Sequence, residues 1–414
     1  MVNSDSQSIR DVRLLLVAMG LSSLPFGYTL VVLPIYLKEI GFLEDAIGAV
    51  MAASAFANTV ALIPFALAAD KYGRKTFAAL GVLSAILAYV LFAFMRDLKS
   101  LLLASAIGGV GLAGGFSAAL WTPAWTALLA EKSSPEKRTK IFAWAQGVWT
   151  IALTTGSAMS VLPALFRMKF GVTFQGSFQF TFLILAGFAL LSGLVLLSVP
   201  ETKQGSHDSE KGSSESFFRL KSLRQITKFS VTFGMVGLAS GFSVQLLSLW
   251  FNRMYNVNEA VLGPWFAAAE ITSLVVVPVI PMLTRTLGSP KSVLTTQGVS
   301  AVLLASMILS SSYEAAGLLF IVRNFFMNIS WPIQQSYLMG TVTPGERASA
   351  SAITSTIWGA GSSVGPLIAG YLLGANDFFL ISAPLLIGSA VYLGSAVGFF
   401  FFFRNIPPPE EATP

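Results

Sequence analysis

The chain has 414 residues, of which 54% are hydrophobic and only 11% are charged, and its mean hydropathy is +0.71. Soluble domains carry roughly 25% charged residues, so the composition excludes a soluble enzyme and a disordered chain. The sequence has no cysteine and one histidine, His207, which excludes a disulfide framework and a thiolate metal site and leaves no cluster of histidine ligands. We therefore expect a membrane protein that needs no cofactor and no metal.

Twelve apolar segments follow one another along the chain, and each is long enough to cross a hydrocarbon core of roughly 30 Å as a helix. The predicted segments are 13–37, 45–68, 76–95, 101–130, 138–165, 176–199, 228–251, 260–283, 291–312, 314–340, 348–373 and 379–403. The strands of a membrane barrel would alternate apolar and polar residues instead. The expected fold class is therefore an all-α membrane protein with twelve transmembrane helices.

One long polar stretch, residues 200–227, divides these segments into two sets of six. It is rich in Ser, Gly, Glu and Lys, a composition typical of a flexible linker. We therefore predict an N-terminal six-helix bundle over 1–199, a cytoplasmic linker over 200–227, and a C-terminal six-helix bundle with a short cytoplasmic tail over 228–414.

The basic residues predict an orientation in the membrane. If both termini are cytoplasmic, the cytoplasmic segments carry nineteen Lys and Arg residues and the outer loops carry six. Cytoplasmic loops are enriched in Lys and Arg, so this arrangement is the expected one.

The two sets of six segments resemble each other in sequence. A shift of 209 residues superposes Pro123 on Pro332, Arg138 on Arg347, Trp149 on Trp358 and Gly156 on Gly365, and a shift of 214 superposes Pro64 on Pro278. Ordered matches of rare residues indicate duplication of a six-helix unit. Two parallel six-helix repeats are typical of a transporter whose solute site lies near the bilayer midplane, between the halves.

The loop after the second segment reads Ala66-Leu-Ala-Ala-Asp70-Lys71-Tyr72-Gly73-Arg74-Lys75. It resembles the loop 2–3 signature of the major facilitator superfamily, with Asp70, Gly73, Arg74 and Lys75 matching and Lys71 a conservative change. The resemblance covers the whole chain and implies two pseudo-symmetric bundles that transport a solute by alternating access. It also implies a conformational gate, to which we assign Asp70, Lys71, Gly73, Arg74 and Lys75 together with Arg138 and Arg347.

One short motif resembles the nucleophile site of a hydrolase, and we interpret it as a helix-packing motif instead. Gly361-Ser362-Ser363-Val364-Gly365 fits the Gly-x-Ser-x-Gly nucleophile elbow, but no histidine lies in any predicted helix to serve as its base. Small residues at this spacing favour close helix packing. The chain also lacks a phosphate-binding loop of the Gly-x-x-x-x-Gly-Lys-Ser/Thr type. We expect a transporter that is neither an enzyme nor driven by ATP.

Two charged residues lie deep within predicted helices. Glu270 in the eighth segment and Arg323 in the tenth both fall roughly 14–15 Å from the outer surface, close to the midplane. A charge at that depth is costly and faces a cavity or a partner. We interpret Glu270 and Arg323 as proton-coupling residues, and a fixed structural ion pair is the alternative.

Large and polar side chains at similar depth form the predicted solute site. The candidates are Tyr28, Trp121, Trp149, Gln245, Arg323, Asn324, Asn328, Trp331 and Trp358. In the superfamily, helices 1, 4, 7 and 10 line the cavity and helices 2, 5, 8 and 11 flank it. The four tryptophans in this set therefore predict an aromatic-walled pocket, with core packing as the alternative. We expect Trp125, Trp144, Trp250 and Trp265 at the membrane interfaces instead.

These features favour one function among three. The first is proton-coupled export of an amphipathic or hydrophobic compound by an antiporter. The second is import of an organic anion or sugar with Arg323 binding the anion, and the third is a non-transporting membrane sensor or scaffold. The expected partners are a small solute, protons and the lipid bilayer, without nucleic acid. We expect a monomer in the plasma membrane.

Overall fold

A computed structural model describes residues 2–108, 114–134, 137–200, 222–343 and 346–405. Over these ranges the chain forms helices joined by short turns, and no strand occurs in them. The predicted all-helical fold is confirmed. The predicted linker falls mostly on residues 201–221, which lie outside the described residues.

In the described part of the first half, eight helices account for the first six predicted segments. They are α1 Val2–Glu39, α2 Glu44–Tyr72, α3 Arg74–Phe94, α4 Leu98–Ile107, α5 Gly115–Lys132, α6 Arg138–Ala158, α7 Leu162–Phe170 and α8 Phe174–Leu197. Helices α4 and α5 together form the fourth segment. Helix α6 continues through a short 3₁₀ turn, Met159–Val161, into α7, and these form the fifth segment.

Over residues 222–343 and 346–405, eight helices account for the last six segments. They are α9 Leu223–Ser243, α10 Leu247–Tyr255, α11 Glu259–Val275, α12 Val279–Leu287, α13 Ser289–Ser306, α14 Tyr313–Thr341, α15 Arg347–Leu373 and α16 Phe378–Phe403. Helices α9 and α10 form the seventh segment. Helices α11 and α12 form the eighth, and the chain bends by 60° between them.

The lengths and hydropathies of these helices identify an integral membrane protein. Within the described residues, nine helices are long and apolar enough to cross a membrane, and the bent pair of α11 and α12 makes a tenth span if counted as one. The two remaining predicted segments correspond to α4 with α5, and to α15, which has 27 residues. The described helices are thus consistent with twelve spans.

The helices reverse direction at two ends of the bundle. We call the end that carries Asp70–Lys75 the motif end, and the end that carries Lys38–Glu44 the far end. Side-chain N-caps begin five far-end helices, at Asp97, Thr173, Asn258, Ser312 and Asp377. At the motif end, Gly73 turns α2 into α3 with φ 113°, and Gly288 turns α12 into α13 with φ 75°. Glycine adopts these left-handed conformations without steric strain.

The buried apolar side chains show how the two halves meet. Around the far end, one cluster joins residues of both halves, from Leu30–Leu37 to Leu246–Phe251. Around the motif end there are two clusters, one built only from first-half residues and the other only from second-half residues. The halves are therefore packed together at the far end and separated at the motif end.

Glycines bring equivalent helices into backbone contact in both halves. In the first half, a Cβ added at Gly156 of α6 would meet the carbonyl of Leu24 in α1. In the second half, a Cβ at the repeat-equivalent Gly365 of α15 would meet the backbone of Gly241 in α9. The α1–α6 and α9–α15 contacts thus follow the same plan, as the 209-residue repeat predicts.

Candidate solute-binding cavity

A cavity of about 580 Å³ lies between the two halves, on the motif-end side of their contact. Ligand pockets typically measure roughly 300–1,000 Å³, so the cavity can enclose a drug-sized molecule. Its lining consists of Met19, Ser22, Phe26, Ala55, Asn58, Thr59, Leu62, Ala118, Trp121, Thr122, Trp125, Thr126, Phe142, Ala145, Gln146, Trp149, Trp331, Ser355, Trp358 and Gly359. Sixteen of these twenty residues belong to the first half.

The structure places all four mid-depth tryptophans on this cavity. Trp121 and Trp149 lie on the first-half wall, and Trp331 and Trp358 lie on the second-half wall. The ring of Phe26 lies 5.6 Å from that of Trp149, and the rings of Trp331 and Trp358 lie 6.3 Å apart in an edge-to-face arrangement. Aromatic surfaces therefore face the cavity from both halves.

The polar groups of the cavity are neutral. None of the twenty lining residues is acidic or basic. Asn58 donates a hydrogen bond to the carbonyl of Gly115 at 3.2 Å, which orients its amide, and the Gln146 side chain is exposed at the cavity wall. The lining can stack a planar apolar body and offer it a few hydrogen bonds, or attract a delocalised cation to the tryptophan faces.

Two of the tryptophans expected at the membrane interfaces lie elsewhere. Trp125 is buried, donates a hydrogen bond to the carbonyl of Leu15 at 2.9 Å and lines the cavity. Trp250 is fully buried at the far end between the rings of Phe251 and Tyr255. The interface prediction is wrong for both because the depth of a residue along a helix does not tell which face of the helix it occupies.

The neutral polar residues expected at the site are bound within the protein instead. The Gln245 amide donates to the hydroxyl of Ser362 at 2.7 Å, tying the break between α9 and α10 to α15. Asn328 donates to the hydroxyl of Thr272 at 3.1 Å. The structure does not bring these side chains to the cavity. The hydrogen bond to Ser362 also gives the Gly-x-Ser-x-Gly segment a packing role.

Two further predicted site residues lie away from the cavity. Tyr28 is fully buried, with its ring edge-on to that of Phe182 at 6.1 Å. Asn324 accepts a hydrogen bond from Nη1 of Arg323 at 2.9 Å. Conversely, sequence reasoning left Phe26 and Trp125 out of the site. Their depth was visible in the sequence, but their orientation was not.

Glu270 and Arg323 lie near each other without touching. Arg323 is 97% buried, with its guanidinium 5.1 Å from the centroid of the Tyr392 ring, and its Nε and Nη2 atoms are buried without a hydrogen-bond partner. Its positive charge acts on Glu270, but between these two described residues no nitrogen–oxygen distance falls within 4.0 Å. The pair is therefore not a closed ion pair in this structure, and neither residue lines the cavity.

The sequence pattern of the Major Facilitator Superfamily matches residues 15–322 and 229–414. The chain belongs to the Major Facilitator Superfamily. The quinolone resistance protein NorA of Staphylococcus aureus is 23% identical over 386 residues, covering 90% of this chain and 92% of NorA. The multidrug resistance protein 1 of Bacillus subtilis is 23% identical over 385 residues, covering 91% of this chain and 94% of that protein.

Solved structures of superfamily transporters share the fold. The nucleoside transporter NupG superposes with a TM-score of 0.72 at 15% identity, covering 96% of this chain and 99% of that chain. An inward-facing bacterial homologue of the human lysosomal transporter Spinster superposes with a TM-score of 0.70 at 14% identity, covering 96% and 97%. The superfamily assignment makes this protein a transporter of a small solute and an integral protein of the plasma membrane.

Among the described residues, the hydrogen bonds and ion pairs of the superfamily loop are all made within the first half. Arg74 donates to the carboxylate of Asp70 at 2.8 Å and also binds Glu131 at the end of α5. Lys75 donates to the carbonyls of Leu197 and Val199 at the end of α8, at 2.9 and 2.7 Å. The loop therefore ties α2, α3, α5 and α8 together on one side of the separated motif end.

The other predicted gate residues are also at the motif end and make local contacts. Lys71 lies 5.2 Å from the centroid of the Tyr72 ring, and Arg138 donates to the carbonyl of Ala130 at 3.2 Å. Arg347 is the exposed first residue of α15. The structure does not bring Arg138 or Arg347 to Asp70.

Contacts between the halves that involve a charged side chain lie at the far end. Arg253 in α10 pairs with Glu44 in α2 at 3.5 Å, and Lys38 in α1 donates to the Asn252 amide oxygen at 2.7 Å. A third contact joins Arg167 in α7 to Glu259 in α11 at 3.5 Å. These charged contacts close the end of the superfamily fold opposite the cavity opening. The sequence reasoning did not single them out.

Proposed function

We propose that the protein exports an amphipathic or hydrophobic compound in exchange for protons. The observation that carries the proposal is the uncharged, tryptophan-walled cavity of about 580 Å³ on the motif-end side. A cavity without ionisable groups binds an apolar aromatic body without the cost of desolvating a charge. The likeness to NorA and to the multidrug resistance protein of Bacillus subtilis supports export as the direction.

The coupling residues of this proposal are Glu270 and Arg323. Glu270 is the acidic residue near the midplane, and it is not held by an ion pair with Arg323 in this structure, which leaves it free to exchange a proton. Its helix contacts the cavity wall, since Ser273, one turn along α11, hydrogen-bonds Thr150 next to Trp149 at 3.1 Å. Movement of the wall on solute binding is thereby transmitted to the helix that carries the carboxylate.

The proposal places the motif end and both termini in the cytoplasm, so that the cavity opens inward. Because the sequence has no cysteine, Ser209→Cys and Lys99→Cys each create a single labelling site. We expect a membrane-impermeant maleimide to label position 99 on intact cells and position 209 only on inside-out vesicles. Labelling of both positions from the same side would reject this orientation.

Flux in liposomes tests the transport itself. Purified protein should move ethidium, an amphipathic cation, against its concentration gradient when a pH gradient is imposed, and dissipating the pH gradient should stop the accumulation. Ethidium should also raise the melting temperature of the purified protein, since a ligand that binds the folded state stabilises it. Absence of flux in the presence of binding would favour the sensor hypothesis instead.

Import of an organic anion is the second candidate, and the buried, unpartnered Nε and Nη2 atoms of Arg323 are the observation in its favour. Two unsatisfied donors of a guanidinium suit a carboxylate. The absence of any basic group from the cavity lining weighs against it. A thermal-stability screen with matched cationic and anionic aromatic compounds separates export from anion import. The export proposal predicts that the cations raise the melting temperature, and anion import predicts that the anions do.

A further inference from the structure

The two halves meet along two seams that are equivalent in the repeat. One seam joins α2 to α15, and there a Cβ at Gly48 would meet the carbonyl of Pro366. The other joins α11 to α6, and there a Cβ at Gly263 would meet the side chain of Ser160 and the carbonyl of Ser157. Both seams are therefore tightly closed at their far-end contact.

The seams remain equivalent about ten residues closer to the motif end. In the α2–α15 seam, a Cβ at Gly359 would meet the hydroxyl oxygen of Thr59. In the α6–α11 seam, the matching positions are Thr150 and Ser273, whose hydroxyl groups hydrogen-bond at 3.1 Å. Up to this level the two seams are closed to the same depth.

One helical turn further toward the motif end, the seams differ. On α15, Ser355 lines the cavity, and the next residue is Thr356. The hydroxyl oxygen of Thr356 is buried. Its repeat equivalent on α6 is Gly147, and a Cβ placed there would have no heavy atom of the described chain within 4 Å. The α6–α11 seam therefore has open space at Gly147, at the level where α15 carries a side chain with a buried hydroxyl group.

The facing helices differ at the same level. Helix α2 runs unbroken through Pro64, whereas the chain bends by 60° around the equivalent Pro278, between α11 and α12. None of residues 279–287 in α12 is buried, and α12 packs against α13 and α14 of its own half. Beyond the bend, α12 thus packs on its own half, whereas α11 before the bend packs on α6.

The opening leads into the cavity. Gln146, which precedes Gly147, is exposed and lines the cavity, and Phe142 lines it one turn away. On the outside of the opening, Trp144 is 62% exposed, and Val277 at the bend is 61% exposed. Neutral and apolar side chains therefore lie on the cavity side of the opening, at Phe142 and Gln146, and on its outer side, at Trp144 and Val277.

We propose that this opening between α6 and α11–α12, at the level of Gly147, is a side portal through which solutes dissolved in the membrane leaflet at the motif end enter the cavity. The partner is an amphipathic molecule with an apolar aromatic body, which partitions into lipid before it reaches the protein. The proposal rests on the proposed function, because it describes how the same cavity is filled. The α2–α15 seam, where the equivalent position is Thr356 with a buried hydroxyl group, is not a portal in this proposal.

The first experiment tests the opening without any solute. Nitroxide labels are attached to Gly147→Cys and, as the matched control, to Thr356→Cys, and their collisions with lipid-soluble oxygen and a water-soluble nickel chelate are measured in liposomes. We expect the label at 147 to collide with oxygen at least threefold more than the label at 356, and to prefer oxygen over nickel. Equal oxygen collisions, or a preference for nickel at 147, would overturn the portal.

The second experiment tests the passage of solute. Gly147→Phe fills the opening, and Gly187→Phe is the matched control, because Gly187 on α8 also has open space around it among the described residues. The probe is trimethylammonium-diphenylhexatriene, a lipid-dissolved cation that fluoresces in the membrane. We expect Gly147→Phe to lower its initial transport rate at least fivefold, while the affinity for ethidium added from water stays within twofold.

Failure of the portal and failure of the proposed function give different results. If the wild-type protein transports the lipid-dissolved probe and Gly147→Phe does so at the same rate, the portal is wrong and the proposed function stands. If the wild-type protein transports and binds neither probe, the proposed function fails, and the portal fails with it as a route for solutes.

Discussion

The two halves of this transporter share one backbone plan but bury different chemistry at mid-depth. The first half supplies sixteen of the twenty cavity-lining residues, all of them uncharged. The second half supplies the two intramembrane charges, Glu270 and Arg323, neither of which lines the cavity. Duplication thus preserved the helix contacts at Gly156 and Gly365 while the side chains around them diverged.

Under the proposed function, this division assigns solute binding mainly to the first half and proton coupling to the second half. Contacts between the halves then have to couple the two sites. The Thr150–Ser273 hydrogen bond is such a contact, because it joins the aromatic wall to the helix of Glu270. Four predictions test whether the two halves divide these roles.

The strongest test removes the second-half carboxylate. Glu270→Gln keeps the shape of the side chain but cannot release a proton, so proton-driven accumulation of ethidium should be lost completely in liposomes. Ethidium binding should stay within about twofold of wild type, because Glu270 is not part of the cavity lining. An unchanged pH profile and gradient in Glu270→Gln would place the coupling site elsewhere.

The shared plan predicts equal damage from matched changes in the two halves. Gly156→Ala and Gly365→Ala each force a methyl group against a neighbouring backbone, and such overpacking costs about 1–3 kcal/mol. Both variants should lose several degrees of melting temperature, whereas Gly187→Ala, with open space around it within the described chain, should not. A large loss in only one half would show that the helix contacts are not equivalent.

The uncharged aromatic wall is tested by truncating one ring. Trp149→Ala should weaken ethidium binding by about 1 kcal/mol, or roughly fivefold, because stacking against the ring and Phe26 is lost. Trp144→Ala on the same helix removes a ring that is 62% exposed and does not line the cavity. Isothermal titration should find that Trp144→Ala binds ethidium with unchanged affinity. Equal losses of affinity in Trp149→Ala and Trp144→Ala would argue against the aromatic wall as the binding surface.

The smallest effect is expected at the superfamily loop. In the state closed at the motif end, we expect Asp70 to face the start of α15, where a carboxylate contributes about 0.3–1 kcal/mol. Asp70→Asn should therefore shift the protein toward the state open at that end, with Thr284→Asn at the matching position of the second half as the control.

The shift is measured as a distance distribution between spin labels on Lys140→Cys and Lys291→Cys, both exposed at the motif end. We expect a larger long-distance fraction in Asp70→Asn than in Thr284→Asn. Identical distributions would make Asp70 a structural residue of the loop, bound only to Arg74.

Much of the fold and part of the site follow from local sequence. Asp97 and Asn258 cap the helices that follow them, and Gly73 supplies the left-handed turn of the superfamily loop. The depth of Trp149 and of Glu270 also follows from the sequence, because helix rise fixes how far a residue lies along its segment.

The helical fold class follows from the sequence alone, because apolar length and spacing act within one segment at a time. Which side chains meet across segments depends on the tertiary packing. Tyr28 and Gln245 have the depth of site residues but face packed helices, while Trp125 faces the cavity. Depth is a property of one helix, whereas the direction a side chain faces depends on the rotation of that helix against its neighbours, which long-range packing sets.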